Sequence, residues 1–306
     1  MSLTSIADAF RLWEAEKTLH VKPSSMAAYS LTVRTHIKPF FEKKGEISSQ
    51  TVREFVRCLD NSGMCGSTVR GILTVTKMIL EFIAKEGLID IPPVKIASPS
   101  RKPRRPPQVM PIEEERRLIR YLDSNPNPMN MGLLLCMLTG MRIGEVCGLK
   151  WKDLDLINHV IHIVRTVYRI YLPYEKKNKS RLVVGSPKSL DSARDVPIPS
   201  GLVDKLLRIR IGRGEELFFT SCGDKPTDPQ TIRLLLYKVT SMLGLHPIRV
   251  HSLRHTFATR CMESKCDIKT LSALLGHSDV STTLNLYVHP GLEQKRSCVE
   301  EMMGLL

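Results

Sequence analysis

Apolar residues recur at helical spacing through the first ninety positions. Ile6, Ala9, Phe10 and Trp13 share a face behind Thr4 and Ser5, which read as N-terminal caps. A second helix is predicted from about Ser24, with Met26, Tyr29 and Val33 on its apolar face and Arg34 and Lys38 away from it. A third covers roughly residues 50–59. A fourth starts behind Gly66 and Ser67 and carries Ile72, Val75, Ile79 and Phe82 to a stop near Gly87. Four short amphipathic helices can share one small core. The period then fails in IPPVKIASPSRKPRRPPQVMP, residues 91–111, where proline blocks both helix and sheet and favours an extended chain. This divides the chain into a helical domain (1–90), a basic proline-rich linker (91–111) and a second domain (112–306).

The second domain opens with predicted helices at residues 112–122 and 127–138, the latter capped by Asn127 with Pro128 in its first turn. Between residues 153 and 199 the texture becomes β-branched and aromatic, as in HVIHIVRTVYRIYLP, and predicts a small antiparallel sheet. Helices are expected again from about Asp228 to the end. At the tail Leu292, Val299, Met302, Met303 and Leu306 form an apolar helical stripe, suited to docking on its own domain or on a neighbouring protomer. The fold class is mainly α with a small antiparallel β-sheet.

Charge narrows the partners. Lysine and arginine outnumber aspartate and glutamate by 45 to 31, a formal charge of +14, which draws the chain toward polyanions. The longest apolar run, residues 131–138, falls far short of the ~20 residues a bilayer requires. The N-terminus lacks the regions of a signal peptide. Nucleic acid therefore leads over membrane. The eight cysteines include no CxxC pair, and Cys136 and Cys147 lie in apolar helical patterns as small core residues. Reduced thiols and a cytoplasmic location are expected, and attraction to polyanions such as DNA would make it nucleoid-associated.

Four separated stretches offer polar residues that an ordinary core would not require. TGMRIGEVCGLKW puts Arg142 and Glu145 three apart, which in isolation reads as a surface ion pair. GSPKSLDSARDVPIP puts Lys188 between two strands, where a solvated hairpin lysine is the plain reading. HSLRHTFATR puts His251 and Arg254 on one helical face, with His255 next to the arginine. Two histidines at that spacing suit a metal, whereas a guanidinium among them repels a cation and grips a phosphate. LLGHSDVSTTLNLYVH ends a helix at Gly276, exposes His277 and restarts near Ser281 ahead of Tyr287. A tyrosine there is ordinarily half-buried core.

In the order Arg, Lys, His-x-x-Arg, His, Tyr, these stretches resemble the tyrosine recombinase (phage integrase) family box by box, from near Ile112 to Tyr287. The resemblance implies a core-binding domain followed by a catalytic domain. It also implies DNA cleavage and rejoining through a 3′-phosphotyrosine, without metal, ATP or other cofactor. In that chemistry Arg142, His251 and Arg254 bind the phosphate, Lys188 protonates the leaving 5′-oxygen, His277 assists and Tyr287 is the nucleophile. Glu145 stands behind Arg142, and His255 is expected to point elsewhere as a structural histidine. Anionic phosphate and a more anionic transition state explain the demand for fixed cations.

The implied partner is double-stranded DNA carrying inverted-repeat core sites, bound by a homo-tetramer, with an accessory excision factor for some members and no membrane. Arg34 and Lys38 on the first domain, and Arg101, Lys102, Arg104 and Arg105 on the linker, are the expected contacts closing round the duplex. The chain begins almost at the core-binding helices, so a full arm-binding domain is not expected. The long excursion VYRIYLPYEKKNKSRLVVGSPK favours a mobile-element integrase over a Xer-like resolvase. A DNA-binding protein that has lost cleavage, and a type IB topoisomerase-like relaxing enzyme, are the alternatives.

Overall fold

The structure is a computed structural model that describes residues 5–89, 107–172, 180–187, 193–287, 296, 299–300 and 302–303, without the side chains of residues 285–287. Lys188, the linker residues Arg101, Lys102, Arg104 and Arg105, tail residues Leu292 and Leu306, and the Tyr287 side chain lie outside the described residues. The chain divides into two compact units, Met1–Arg104 with Arg169–Arg181, and Arg105–Tyr168 with Leu182–Leu306.

In the first unit, α1 (Ile6–His20) begins at Ser5, whose hydroxyl accepts from the Asp8 N–H. Helix α2 (Pro23–Thr32) carries Met26 and Tyr29 of the predicted apolar face. It runs through a π turn, Val33–Ile37, into α3 (Lys38–Lys44). Pro39 lies just beyond that turn and has no N–H to give the ladder. The wider turn lets the helix pass it, with the Lys38 N–H reaching the Val33 carbonyl. Helix α4 (Ser49–Asp60) starts with a reciprocal Ser48–Thr51 capping box, and α5 (Gly66–Lys85) is the longest of the set. Trp13, Phe41, Phe55, Ile79 and Ile83 fill the centre. Each such side chain contributes about 1.5–3 kcal/mol on burial.

The second unit is built round α7 (Pro128–Thr139), which is apolar on every side and buried by its neighbours. The α6 (Ile112–Ser124) and α11 (Val250–Glu263) helices pack on it, joined by α8 (Ile143–Gly148) and α10 (Pro229–Met242). The extended segment ahead of α6 is anchored on α11. The Met110 N–H donates to Thr256 Oγ1 at 2.9 Å, and Arg260 donates to the Met110 carbonyl at 2.8 Å.

The predicted single sheet is two small sheets among the described residues. Strands β1 (Leu154–Asp155), β2 (Val160–Ile163) and β5 (Arg194–Pro197) pair antiparallel, with Ile161 opposite Val196 and Ile163 opposite Arg194. Strands β3 (Thr166–Tyr171) and β4 (Ser180–Gly185) form the other. Helices resume before Asp228, at α9 (Ser200–Arg210), where Leu202, Val203 and Leu206 bury one short face. The chain then runs through α12 (Ile268–Leu275) and α13 (Val280–Tyr287).

Candidate active site

The site is organised by the carboxyl end of α12. Asp267 caps its start by accepting from the Thr270 N–H, and Gly276 stops it in the left-handed region at φ +60°. The last carbonyls of a helix have no partner within it and carry the negative end of its dipole. Here three successive ones are each taken by a different arginine. Arg194 Nε donates to the Leu274 carbonyl at 2.7 Å, Arg254 Nη2 to Leu275 at 2.5 Å, and Arg142 Nη2 to Gly276 at 3.1 Å. Arg194 comes from β5, Arg254 from α11 and Arg142 from the residue before α8. Arg254 also donates to the carbonyl of Gly140, where α7 ends, at 2.9 Å.

Glu145 sits behind this cluster at 2% exposure. Its Oε2 accepts from the Arg142 N–H and its Oε1 from Arg142 Nη1, both at 2.8 Å. Arg194 meets the same two oxygens with both terminal nitrogens, each at 3.1 Å. The surface ion pair suggested by the Arg142–Glu145 spacing is thus corrected: the carboxylate is buried and shared by two guanidiniums. Burial acts to raise the Glu145 carboxyl, but hydrogen bonds and charge from Arg194, with Arg142 adding to them, more than offset it. The group stays ionised, below the usual carboxylate range.

Met141, Arg142, Arg233, Arg249, His251 and Arg254 line a cavity of about 560 Å³. Partial burial, then the charges of Arg254 and Arg142, depress the His251 pKa. His255 is not among the residues lining the cavity, but it touches one that is. Its ring lies edge-on to that of His251 with centroids 4.6 Å apart, because positions four apart on α11 share a face. Burial, His251 and Arg254 hold His255 at about 4. His277 follows Gly276 directly, and its Nδ1 lies 2.8 Å from the buried Thr283 hydroxyl on α13. Burial and the surrounding Arg254, Arg142 and Arg194 hold His277 at about 4. All three imidazoles are neutral at pH 7.

Arg142, His251 and Arg254 therefore share one cavity, Glu145 backs it, and His277 leaves the turn whose carbonyl Arg142 holds. The backbone of Tyr287 closes α13, which packs on both α11 and α12. Arg34 is exposed in the first unit, and Lys38 there pairs with Glu42 at 3.6 Å. Sequence reasoning missed Arg194, Arg233 and Arg249. For Arg194 a signal existed: it shares a strand face with buried Val196, so a cation was aimed inward. Arg233 and Arg249 carried no local mark, being exposed cations on or beside helices.

The phage integrase family profile matches residues 108–293, and the N-terminal SAM-like domain of phage integrases matches residues 5–58. The chain belongs to the phage integrase family; it is a tyrosine recombinase. It is 27% identical to a tyrosine recombinase XerC-like protein of Caldanaerobacter subterraneus, over 98% of this chain and 83% of that protein. It is 25% identical to tyrosine recombinase XerA of Thermococcus kodakarensis, over 92% of each chain. Among solved structures, the Tn1549 transposon integrase bound to transposon right end DNA covers 95% of this chain and 98% of its own, at 18% identity and a TM-score of 0.70. A lambda integrase dimer on a core site covers 94% and 97%, at 17% identity and a TM-score of 0.63. These structures share the mainly helical fold with its small antiparallel sheets.

Proposed function

We propose that the chain recognises inverted-repeat core sites on duplex DNA and exchanges strands there through a 3′-phosphotyrosine on Tyr287. The observation that carries this reading is the cavity bearing Arg142, His251 and Arg254, whose two arginines are fixed by the turn that leads to His277. A phosphodiester entering it would meet two guanidiniums already anchored on backbone carbonyls and an imidazole, and such fixed cations are suited to stabilising a pentacoordinate, more anionic transition state. Cations gathered round the phosphate favour phenolate character in Tyr287, whose unperturbed pKa of about 10 otherwise leaves it a weak nucleophile.

Tyr287 attacks phosphorus and the bond to the 5′-oxygen breaks. Lys188 gives that oxygen its proton as general acid. His251 and His277, neutral at pH 7, act as hydrogen-bonding groups on the phosphate. The bond energy is kept in the phosphotyrosine, so a second 5′-hydroxyl can reverse the step without ATP. Arg34, Lys38, Arg101, Lys102, Arg104 and Arg105 hold the duplex backbone. The assembly is a tetramer on two duplexes, as in the lambda integrase tetramer on a Holliday junction, with the tail carrying Val299, Met302 and Met303 docking between protomers. An accessory excision factor sets direction.

We assign the biological role to integration and excision of a mobile element or prophage, on the length of the β3–β4 excursion. The second reading, resolution of chromosome dimers, is favoured by the Xer names of the curated relatives. The test is to incubate the protein with a duplex fragment library, denature in SDS and sequence what stays attached, with Tyr287→Phe alongside. A tyrosine-dependent adduct at one short inverted repeat supports the recombinase, and its location at an element boundary or at an element-free chromosomal site separates the two roles. Good retention before denaturation with no adduct, even on a nicked substrate that prevents religation, makes the protein a DNA binder only.

A further inference from the structure

Arg194 lies in the stretch that carries Lys188, yet the resemblance gives it no role, and its side chain is almost fully covered. Its side chain is 7% exposed, and Glu145 opposite it 3%. It follows Lys188 by six residues in sequence and packs so close to Gly276 that a Cβ there would lie 2.9 Å from its Nη1. Its Nε holds the Leu274 carbonyl while both terminal nitrogens hold Glu145.

The consequence lies in what this leaves for Arg142. A buried carboxylate draws guanidiniums into two-point pairing, the strongest geometry open to it. Arg194 already occupies both oxygens in that way. Arg142 is left with a single side-chain contact to Glu145, through Nη1, and turns Nη2 to the Gly276 carbonyl. Its side chain keeps 36% of its surface and lines the cavity. Without Arg194, the ionised Glu145 would have Arg142 as its remaining guanidinium partner among these contacts. It would then pull the second nitrogen off the Gly276 carbonyl and away from the phosphate position.

We propose that Arg194 is a positioning residue: by pairing with both oxygens of Glu145 it restricts Arg142 to one contact with that carboxylate and keeps the Arg142 guanidinium turned into the cavity. The inference rests on the recombinase reading for its kinetic consequence, but not for its geometry.

The experiment compares wild type with Arg194→Met, Arg194→Lys, Glu145→Gln and the double variant Glu145→Gln/Arg194→Met. The probe is a nicked duplex carrying the site recovered by the adduct selection. Adduct formation is timed at saturating protein, retention of the same duplex is measured in parallel, and the crystal structure of Arg194→Lys is determined. Displacing a transition-state contact by about 1 Å slows reaction by about 10²-fold, and that is the loss expected for Arg194→Met, with duplex retention unchanged. Adding Glu145→Gln should make Arg194→Met faster, because a neutral amide no longer captures Arg142. Lysine restores the charge but not the fork, so Arg194→Lys should react at an intermediate rate, with Arg142 moved toward Glu145 in the crystal.

A residue that merely supports the fold would give additive losses in the double variant. That outcome, or wild-type rates in Arg194→Met, overturns the proposal. If Arg194→Met does not fold, Arg194→Lys decides: a wild-type rate, with Arg142 still on the Gly276 carbonyl, overturns it. If wild type retains duplexes but forms no adduct, the recombinase reading fails. The position of Arg142 in the Arg194→Lys crystal then decides the inference alone.

Discussion

Arg254 ties together the ends of two helices: one terminal nitrogen donates to the Gly140 carbonyl that closes α7 and the other to the Leu275 carbonyl that closes α12, at 2.9 and 2.5 Å. Both carbonyls would otherwise end buried helices without a partner. The same side chain thus joins the packing of the second unit to the chemistry of its cavity. A lysine cannot span the two. Arg254→Lys should lower stability by about 1.5–3 kcal/mol, the worth of one hydrogen bond to a charged group, and slow adduct formation by about 10²–10³-fold. Urea unfolding and SDS-resistant adducts read the two effects separately. A variant that loses stability while cleaving normally would remove Arg254 from the site.

The two left-handed glycines at this junction should respond differently to alanine. At Gly140, φ +66°, a Cβ would come 2.4 Å from the ring of Phe257. Backbone strain and overpacking together predict a loss of about 2–4 kcal/mol for Gly140→Ala. At Gly276, φ +60°, the obstacle is the guanidinium of Arg194, a side chain rather than a ring in the core. Gly276→Ala should cost about 1–2 kcal/mol. It should nevertheless slow adduct formation well beyond that stability loss, because the displaced guanidinium is the one paired with Glu145 behind Arg142. Equal effects of the two substitutions on rate and stability would contradict this division.

Acid should destabilise the protein through its histidines. His255 and His277 are held at about 4, and His251 below its ordinary 6.5, chiefly by burial and then by neighbouring positive charge. Each is neutral when folded and takes up a proton near 6.5 once unfolded. Between 6.5 and about 4 the unfolded chain therefore binds more protons, and falling pH favours it. The contribution is fully present above 6.5 and lost as pH falls through about 4. The melting temperature should be flat from pH 7 to 8 and decline on acidification below 6.5. His277→Gln should make that decline shallower; an unchanged slope would mean that His277 is not held neutral by the fold.

Salt tests the linker. Each phosphate neutralised on B-form DNA contributes about −0.9 to the slope of log affinity against log salt. Replacing Arg101, Lys102, Arg104 and Arg105 by alanine should flatten the slope by as much as about 3.6 if all four engage phosphates. Retention measured across a salt series checks it, and an unchanged slope removes the linker from the duplex interface.

Much of the architecture was legible along the chain. Period and caps located α1, α4, α5, α6 and α7, because those signals lie within a turn or two of the residues they govern. The second helix was read as far as Lys38, but the π turn at Val33–Ile37 and the continuation through Lys38–Lys44 past Pro39 were not legible, because no local period marks them. Helix α9 was missed because its short apolar face, Leu202, Val203 and Leu206, follows directly on a β-rich stretch. Glu145 took its place behind Arg142 from the family resemblance, not from its spacing, which in isolation reads as a surface pair. Spacing brings it beside Arg142 but says nothing about burial, which comes from α8 sinking against α7 and α10.

By itself the sequence determined which chemistry-bearing residues exist and in what order, and its local periods determined the helices on which most of them ride. Where those residues meet was decided by contacts that no local pattern contains. Arg142 reaches Gly276 across 134 positions, Arg254 reaches Gly140 across 114, and Arg194 reaches Leu274 across 80. Helix propensity acts over a few residues, whereas the orphan carbonyls at the end of α12 and the buried charge of Glu145 find partners only after the helices have packed. Burial makes leaving such groups without partners costly. Tertiary packing therefore turned three arginines from distant stretches into one fixed cluster.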